Sequence, residues 1–169
     1  MVANATVQAE DAFLAELDRH RKILLKVARL YCSNPHDRPD LVQEMSIQLW
    51  HSFARFDGRS QFSTWMYRVA LNVAISWTRA QSSRGLNAHS VDARETDLAA
   101  ADQAPEQLLA DRDLLENILA TLNELDRALM ILHLEGHDHV TIAEVLGVST
   151  SNVATKINRI KDRLQQQFR

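Results

Sequence analysis

Apolar residues fall at helical spacing in successive segments of this chain. Phe13, Leu17, Leu24, Val27 and Tyr31 predict a helix over 11–31, with Arg19, Arg21, Lys22, Lys26 and Arg29 on its outside. Ser33-Asn34-Pro35 disfavours continuation. A second helix is expected after Pro39, with Asp40 at its start and Leu41, Met45, Leu49 and Phe53 as its apolar line. Asp57-Gly58 ends it in a turn. The next segment, Phe56–Arg79, runs from a glycine-containing polar loop into an aromatic, basic helix. At about 100° per residue, Met66, Val69, Ala70, Val73, Trp77 and Ala80 share one face, and Arg68, Asn72, Ser76 and Arg79 share another. Leu71 and Ile75 interrupt the polar face, so part of it is expected to be buried.

Residues 86–112 mix Ala with Asp, Glu and Gln and hold too few large apolar residues to build a core. They read as an acidic, flexible linker over 86–110 that separates an N-terminal helical domain, 11–85, from a C-terminal one, 111–169. In the latter, Leu115, Ile118, Leu119 and Leu122 mark a helix. Asn123 is suited to cap the next, which carries Leu125, Leu129 and Leu132 and ends at Gly136. Ile142, Val145 and Leu146 then mark a short helix, Gly147 allows a tight turn, and Ser149 can cap a last helix buried along Val153, Ile157, Ile160 and Leu164. Ser151, Asn152, Thr155, Lys156, Arg159 and Lys161 occupy its exposed side. A short helix, a glycine turn and a helix with polar residues at its start form a helix-turn-helix pattern, whose second helix lies in the DNA major groove. An αα-hairpin without a DNA role has the same local pattern. The expected fold class is all-α.

Composition agrees. With 46% hydrophobic residues but only four glycines and three prolines among 169, the chain suits an all-helical protein. The single cysteine, Cys32, rules out an intramolecular disulfide and any zinc site needing two thiolates from this chain. Cys32 itself, just after Tyr31 at a helix end, reads as a small buried apolar residue. His133, His137 and His139 lie close together but without a metal-binding carboxylate pattern, and read as turn and surface residues. No apolar run approaches the ~20 residues of a membrane span. The stretch MVANATVQAEDAF lacks the basic and apolar regions of a signal peptide, so the cytoplasm is the expected compartment.

The net charge of −3 hides a segregation. Residues 19–85 carry eleven Lys/Arg against four Asp/Glu, while residues 86–116 carry two against eight. A basic block followed by an acidic strip suggests polyanion binding, with a segment able to compete for the same surface. Within that block, the line Arg68, Asn72, Ser76, Arg79 is suited to phosphates and base edges, and Trp65 and Tyr67 beside it to stacking on unpaired bases. A solvated amphipathic face is the alternative. No nucleotide-binding loop or nucleophile constellation occurs, so no enzyme activity, cofactor, metal or small-molecule substrate is expected.

The combination resembles a bacterial RNA polymerase sigma factor of the sigma-70 family, in its extracytoplasmic-function (ECF) group. The residues carrying the resemblance are Asp40-Leu41-Val42-Gln43-Glu44, Leu49-Trp50, Phe56, Gly58, Phe62-Ser63-Thr64-Trp65, Tyr67-Arg68, Ala70 and Asn72. In the C-terminal domain they are Leu125-Asp126-Arg127, Glu135-Gly136, Ile142 to Gly147, Asn152-Val153 and Arg159. The resemblance implies that residues 11–85 act as sigma region 2 and 111–169 as region 4. Asp40, Gln43, Glu44 and Gln48 would bind core RNA polymerase. Arg59, Ser63, Thr64, Trp65, Arg68, Asn72 and Arg79 would engage the minus-ten element, whose non-template strand is captured single. Ser151, Asn152, Thr155, Lys156 and Arg159 would read the minus-thirty-five element as duplex. The linker would thread the polymerase's RNA path. An anti-sigma factor, able to hold the protein at the membrane, is the further partner implied. Ala154 stands where relatives commonly have a basic residue, and Thr150-Ser151-Asn152 replaces a frequent Val-Gly-Thr. Two other readings stay open at this point: a stand-alone helix-turn-helix regulator, and a sigma-like decoy that binds an anti-sigma factor.

Overall fold

The computed structural model describes residues 2–84 and 106–167. The chain divides into two compact units, Met1–Ala88 and His89–Arg169. The described residues form helices joined by short turns and loops, with no strand among them.

In the first unit, α1 (Val2–Arg19) and α2 (Arg21–Tyr31) replace the single expected helix. The break is at His20, whose amide still donates to Glu16 while its carbonyl accepts from Ile23, so the chain turns tightly without a proline or glycine. A 3-10 turn, Pro35–Asp37, leads into α3 (Arg38–Phe53), with Pro39 in its first turn. The Arg38 guanidinium donates to the Cys32 carbonyl at 3.1 Å and so ties that turn to the end of α2. The last helix of the unit, α4 (Phe62–Ser83), packs against both α2 and α3. Thr78 on α4 donates to the carbonyl of Tyr31 at 3.3 Å, closing the third side of the bundle.

The core of this unit is Leu24 and Val27 from α2, Leu41, Met45 and Leu49 from α3, and Met66, Tyr67, Ala70, Leu71 and Ala74 from α4. On α4 this differs from the expected stripe. Met66 and Ala70 are buried as the spacing predicts, but the stripe runs through Tyr67, Leu71 and Ala74, while Ala80 is exposed and Val69, Val73 and Trp77 are half-buried. Because α4 is covered from two sides, the buried stripe is turned toward Leu71, which is 1% exposed, in line with the burial expected from its interruption of the polar face.

The second unit comprises α5 (Glu106–Ala120), α6 (Glu124–Leu134), α7 (His139–Leu146) and α8 (Thr150–Gln167). Residues 106–110, expected in the linker, belong to α5; the rest of the expected linker lies outside the described residues. Leu129, Leu132, Ile142 and Val153, all at most 1% exposed, fill the junction of α6, α7 and α8. Asn123 caps α6 as predicted, its side-chain Oδ1 accepting from the Asp126 amide at 2.8 Å. Gly147 has φ 67, the left-handed conformation that ends α7, and the Val148 amide donates back to Ala143 at 3.1 Å.

Candidate nucleic-acid interface

The loop before α4 is built by its own chemistry. Gly58 has φ 71, a value that favours glycine, and the preceding Asp57 accepts from the Arg59 amide at 3.1 Å in an Asx turn. The Arg59 Nε donates to the other Asp57 carboxylate oxygen at 2.9 Å. Both side chains are exposed, so this pair shapes the loop with little net stabilisation.

Behind the loop lies an aromatic cluster. Trp65 sits 5.1 Å from Phe56, 5.3 Å from Phe62 and 6.4 Å from Phe53, centroid to centroid. Phe13 of α1 joins at 5.1 Å from both Phe53 and Trp50. These tilted and edge-on contacts are the favourable geometries for ring quadrupoles. They anchor the loop to α1, the end of α3 and the first turn of α4. Tyr67, expected to stack on bases, is 3% exposed and belongs to the core. Trp65 keeps a half-exposed ring. Ser63 and Thr64 are partly buried in the first turn of α4. Arg68, Asn72, Ser76 and Arg79 are all exposed and form one line opposite the Met66–Ala74 stripe. The same burial that turned the stripe toward Leu71 thus turns this polar line squarely outward.

On α3, Asp40, Gln43 and Gln48 are exposed and Glu44 half-buried; the Gln48 amide donates to Glu44 at 3.3 Å. Ile47 and Trp50, 40% and 41% exposed, lie on the same helix, so the outer surface of α3 is apolar as well as polar. Sequence reasoning named Trp50 only among the residues that carry the resemblance and did not single out Ile47. The signal for Ile47 was its position off the Leu41–Met45–Leu49 line.

In the second unit, α7 and α8 form the predicted helix-turn-helix. Asp138 caps α7 by accepting from the Thr141 amide at 2.7 Å, and the Ser149 hydroxyl accepts from Asn152 at 3.3 Å to cap α8. Ser151, Asn152, Thr155 and Arg159 are exposed. Lys156, expected among them, is half-buried, and its ammonium donates to Asp126 Oδ1 of α6 at 2.9 Å. Asp126 is 8% exposed and is the one buried charged residue among those described. The helical register explains it, since Lys156 is three after Val153 and four before Ile160 and so falls on the flank of the buried stripe. Next to Asp126, Arg127 donates to the carbonyls of Leu119, Ala120 and Leu122 at 3.0–3.1 Å, satisfying the end of α5.

Burial raises the Cys32 thiol pKa, with the Asp37 charge adding to the effect, which leaves this cysteine a poor nucleophile. Burial also lowers that of His133, helped by Lys161 and His139. Hydrogen bonds from Thr141 lower that of Asp138. Among the described residues, no group of three or more His, Cys, Asp or Glu is placed to hold a metal ion. No helix among them is long and apolar enough to cross a membrane.

Each unit has four α-helices among the described residues, one unit with an aromatic-anchored loop and an outward polar line, the other with a helix-turn-helix, an arrangement suited to nucleic acid. Residues 17–84 match sigma-70 region 2 and residues 112–164 match sigma-70 region 4. The chain belongs to the ECF group of the sigma-70 family, and directs RNA polymerase to promoters for transcription initiation. It is 28% identical over 157 residues to the RNA polymerase sigma factor NccH of Alcaligenes xylosoxydans xylosoxydans, covering 90% of this chain and 84% of that one. With the ECF sigma-E factor of Haemophilus influenzae it shares 28% identity over 166 residues, 93% and 87% of the two chains. Its fold is that of the sigma factor RpoE in complex with the anti-sigma factor NepR from Bartonella quintana. The TM-score is 0.70 at 20% identity, over 92% of this chain and 95% of that one. CnrH in complex with the cytosolic domain of CnrY gives 0.67 at 22%, over 96% and 93%.

Proposed function

We propose a division of labour among the exposed faces of this sigma factor. The α3 surface of Asp40, Gln43, Glu44 and Gln48 holds core polymerase. The loop at Arg59 and the outward line of α4 capture the unpaired non-template strand of the minus-ten element, with Ser63, Thr64, Trp65, Arg68, Asn72 and Arg79 as its contacts. The exposed start of α8, with Ser151, Asn152, Thr155 and Arg159, reads the minus-thirty-five duplex, and the acidic residues of 86–110 occupy the polymerase's RNA path. The observation that carries this reading is the α4 polar line opposite a fully buried stripe, beside a loop whose aromatics hold it in place. Base stacking there is worth about 1–3 kcal/mol per captured base, enough to offset unpairing without a chemical step.

The protein acts in the cytoplasm, and an anti-sigma factor is its expected regulator, holding it at the membrane if that regulator is anchored there. Support comes from the two solved structures of the same fold, one bound to an anti-sigma factor and one to a cytosolic domain. Transcription in vitro with purified core polymerase and genomic promoter fragments tests the reading. Promoter-specific starts should appear only when this protein is added; their absence would sink it.

A further inference from the structure

We infer that Asp126 is a positioning residue for promoter recognition, acting through Lys156 to set the seat of the recognition helix. Asp126 lies in the first turn of α6, where a carboxylate also favours the helix dipole. One of its oxygens accepts from Lys156 Nζ at 2.9 Å and the other from Asn123 Nδ2 at 2.8 Å, with Arg163 Nη2 at 3.9 Å. Thirty residues separate Asp126 from Lys156, so the contact is a tertiary tie between α6 and the first half of α8. Leu129, Ile142, Val153 and Ile157 are buried where α6, α7 and α8 pack together, and such apolar burial is non-directional. A charge-assisted hydrogen bond fixes the rotation of α8. Seen from α8, Lys156 is one residue from Thr155 and three from Arg159, so its anchoring sets where both point.

The anchoring also removes Lys156 from the set of phosphate contacts. A lysine that neutralises a phosphate contributes about one unit to the slope of binding against salt. A lysine held by a buried carboxylate contributes affinity through geometry and leaves that slope unchanged.

This inference rests on α8 reading the minus-thirty-five element, and the experiment separates the two. The full-length protein is reconstituted with core polymerase, and its affinity is measured on promoters with the intact and the scrambled minus-thirty-five element across a range of salt. Asp126→Asn keeps the shape and can still accept from Asn123, so the fold is retained; circular dichroism checks it. Asp126→Asn and Lys156→Met should each lower affinity for the intact promoter by about tenfold, the scale of one well-placed base contact, with the salt slope unchanged. The double variant should be no worse than either alone, Lys156→Arg should restore binding, and the scrambled promoter should register none of these changes. If Lys156→Met lowers the salt slope by about one while Asp126→Asn binds normally, Lys156 is a phosphate contact and the inference is overturned. Arg159→Ala is the control for the underlying reading: if it too leaves discrimination between the promoters intact, both fall together.

Discussion

Trp65 packs with its ring centroid 5.1 Å from that of Phe56, across the loop that both residues flank. Each aromatic there is held by at least two others, so the loop between them is positioned by rings and not by its exposed Asp57–Arg59 pair.

Phe56→Ala should therefore loosen the loop without unfolding the bundle. The ring is only half-buried, so a cost of about 2 kcal/mol is expected, below the ~3–5 of a fully buried phenylalanine. Urea unfolding followed by tryptophan fluorescence measures it. Open-complex formation should fall in parallel, while binding to core polymerase stays at the wild-type level.

Arg68→Ala combined with Asn72→Ala should impair promoter opening and leave polymerase binding intact, because both side chains sit on the outward line of α4. Glu44→Lys should do the opposite. Pull-down with core polymerase and permanganate footprinting of the melted region distinguish the two. A double variant that no longer binds core would contradict the assignment of separate faces.

Arg127→Met removes three carbonyl hydrogen bonds at the end of α5. About 2–3 kcal/mol is expected, since charged donors are involved and their acceptors are partly buried. Amide hydrogen exchange should show lost protection in α5 and the start of α6, with α2 to α4 unchanged.

The pH dependence of the second unit follows from His133. Its folded-state pKa lies below the ordinary 6.5, so the unfolded chain binds the proton more readily. The stabilising contribution is complete above 6.5 and is lost as pH falls through the lower folded value. Protection of α6 amides, corrected for intrinsic exchange rates, should decline from pH 7 toward pH 5. His133→Gln should flatten that decline; an unchanged profile would assign it to another group.

Much of the fold was legible because its signals are local. Asn123 and Ser149 each sit at the start of a helix and accept from its first-turn amides, and Gly147 ends one because its φ of 67 strains other residues. The His20 break was not legible, since neither proline nor glycine marks it. Nor was the true stripe of α4: spacing shows that Met66, Tyr67, Ala70, Leu71 and Ala74 are neighbours on a helix, but which flank is covered depends on where α2 and α3 lie.

By itself, the sequence determined the helical periods, the caps and turns, the segregated charge and the ordered motifs of regions 2 and 4, all of which depend on residues close together in the chain. Only tertiary structure decided that Tyr67 is core, that Trp65 and Phe56 brace one loop, and that Lys156 belongs to Asp126. Those outcomes turn on packing and desolvation between residues far apart in sequence, where a side chain at the edge of a stripe is pulled inward only if a partner is waiting there.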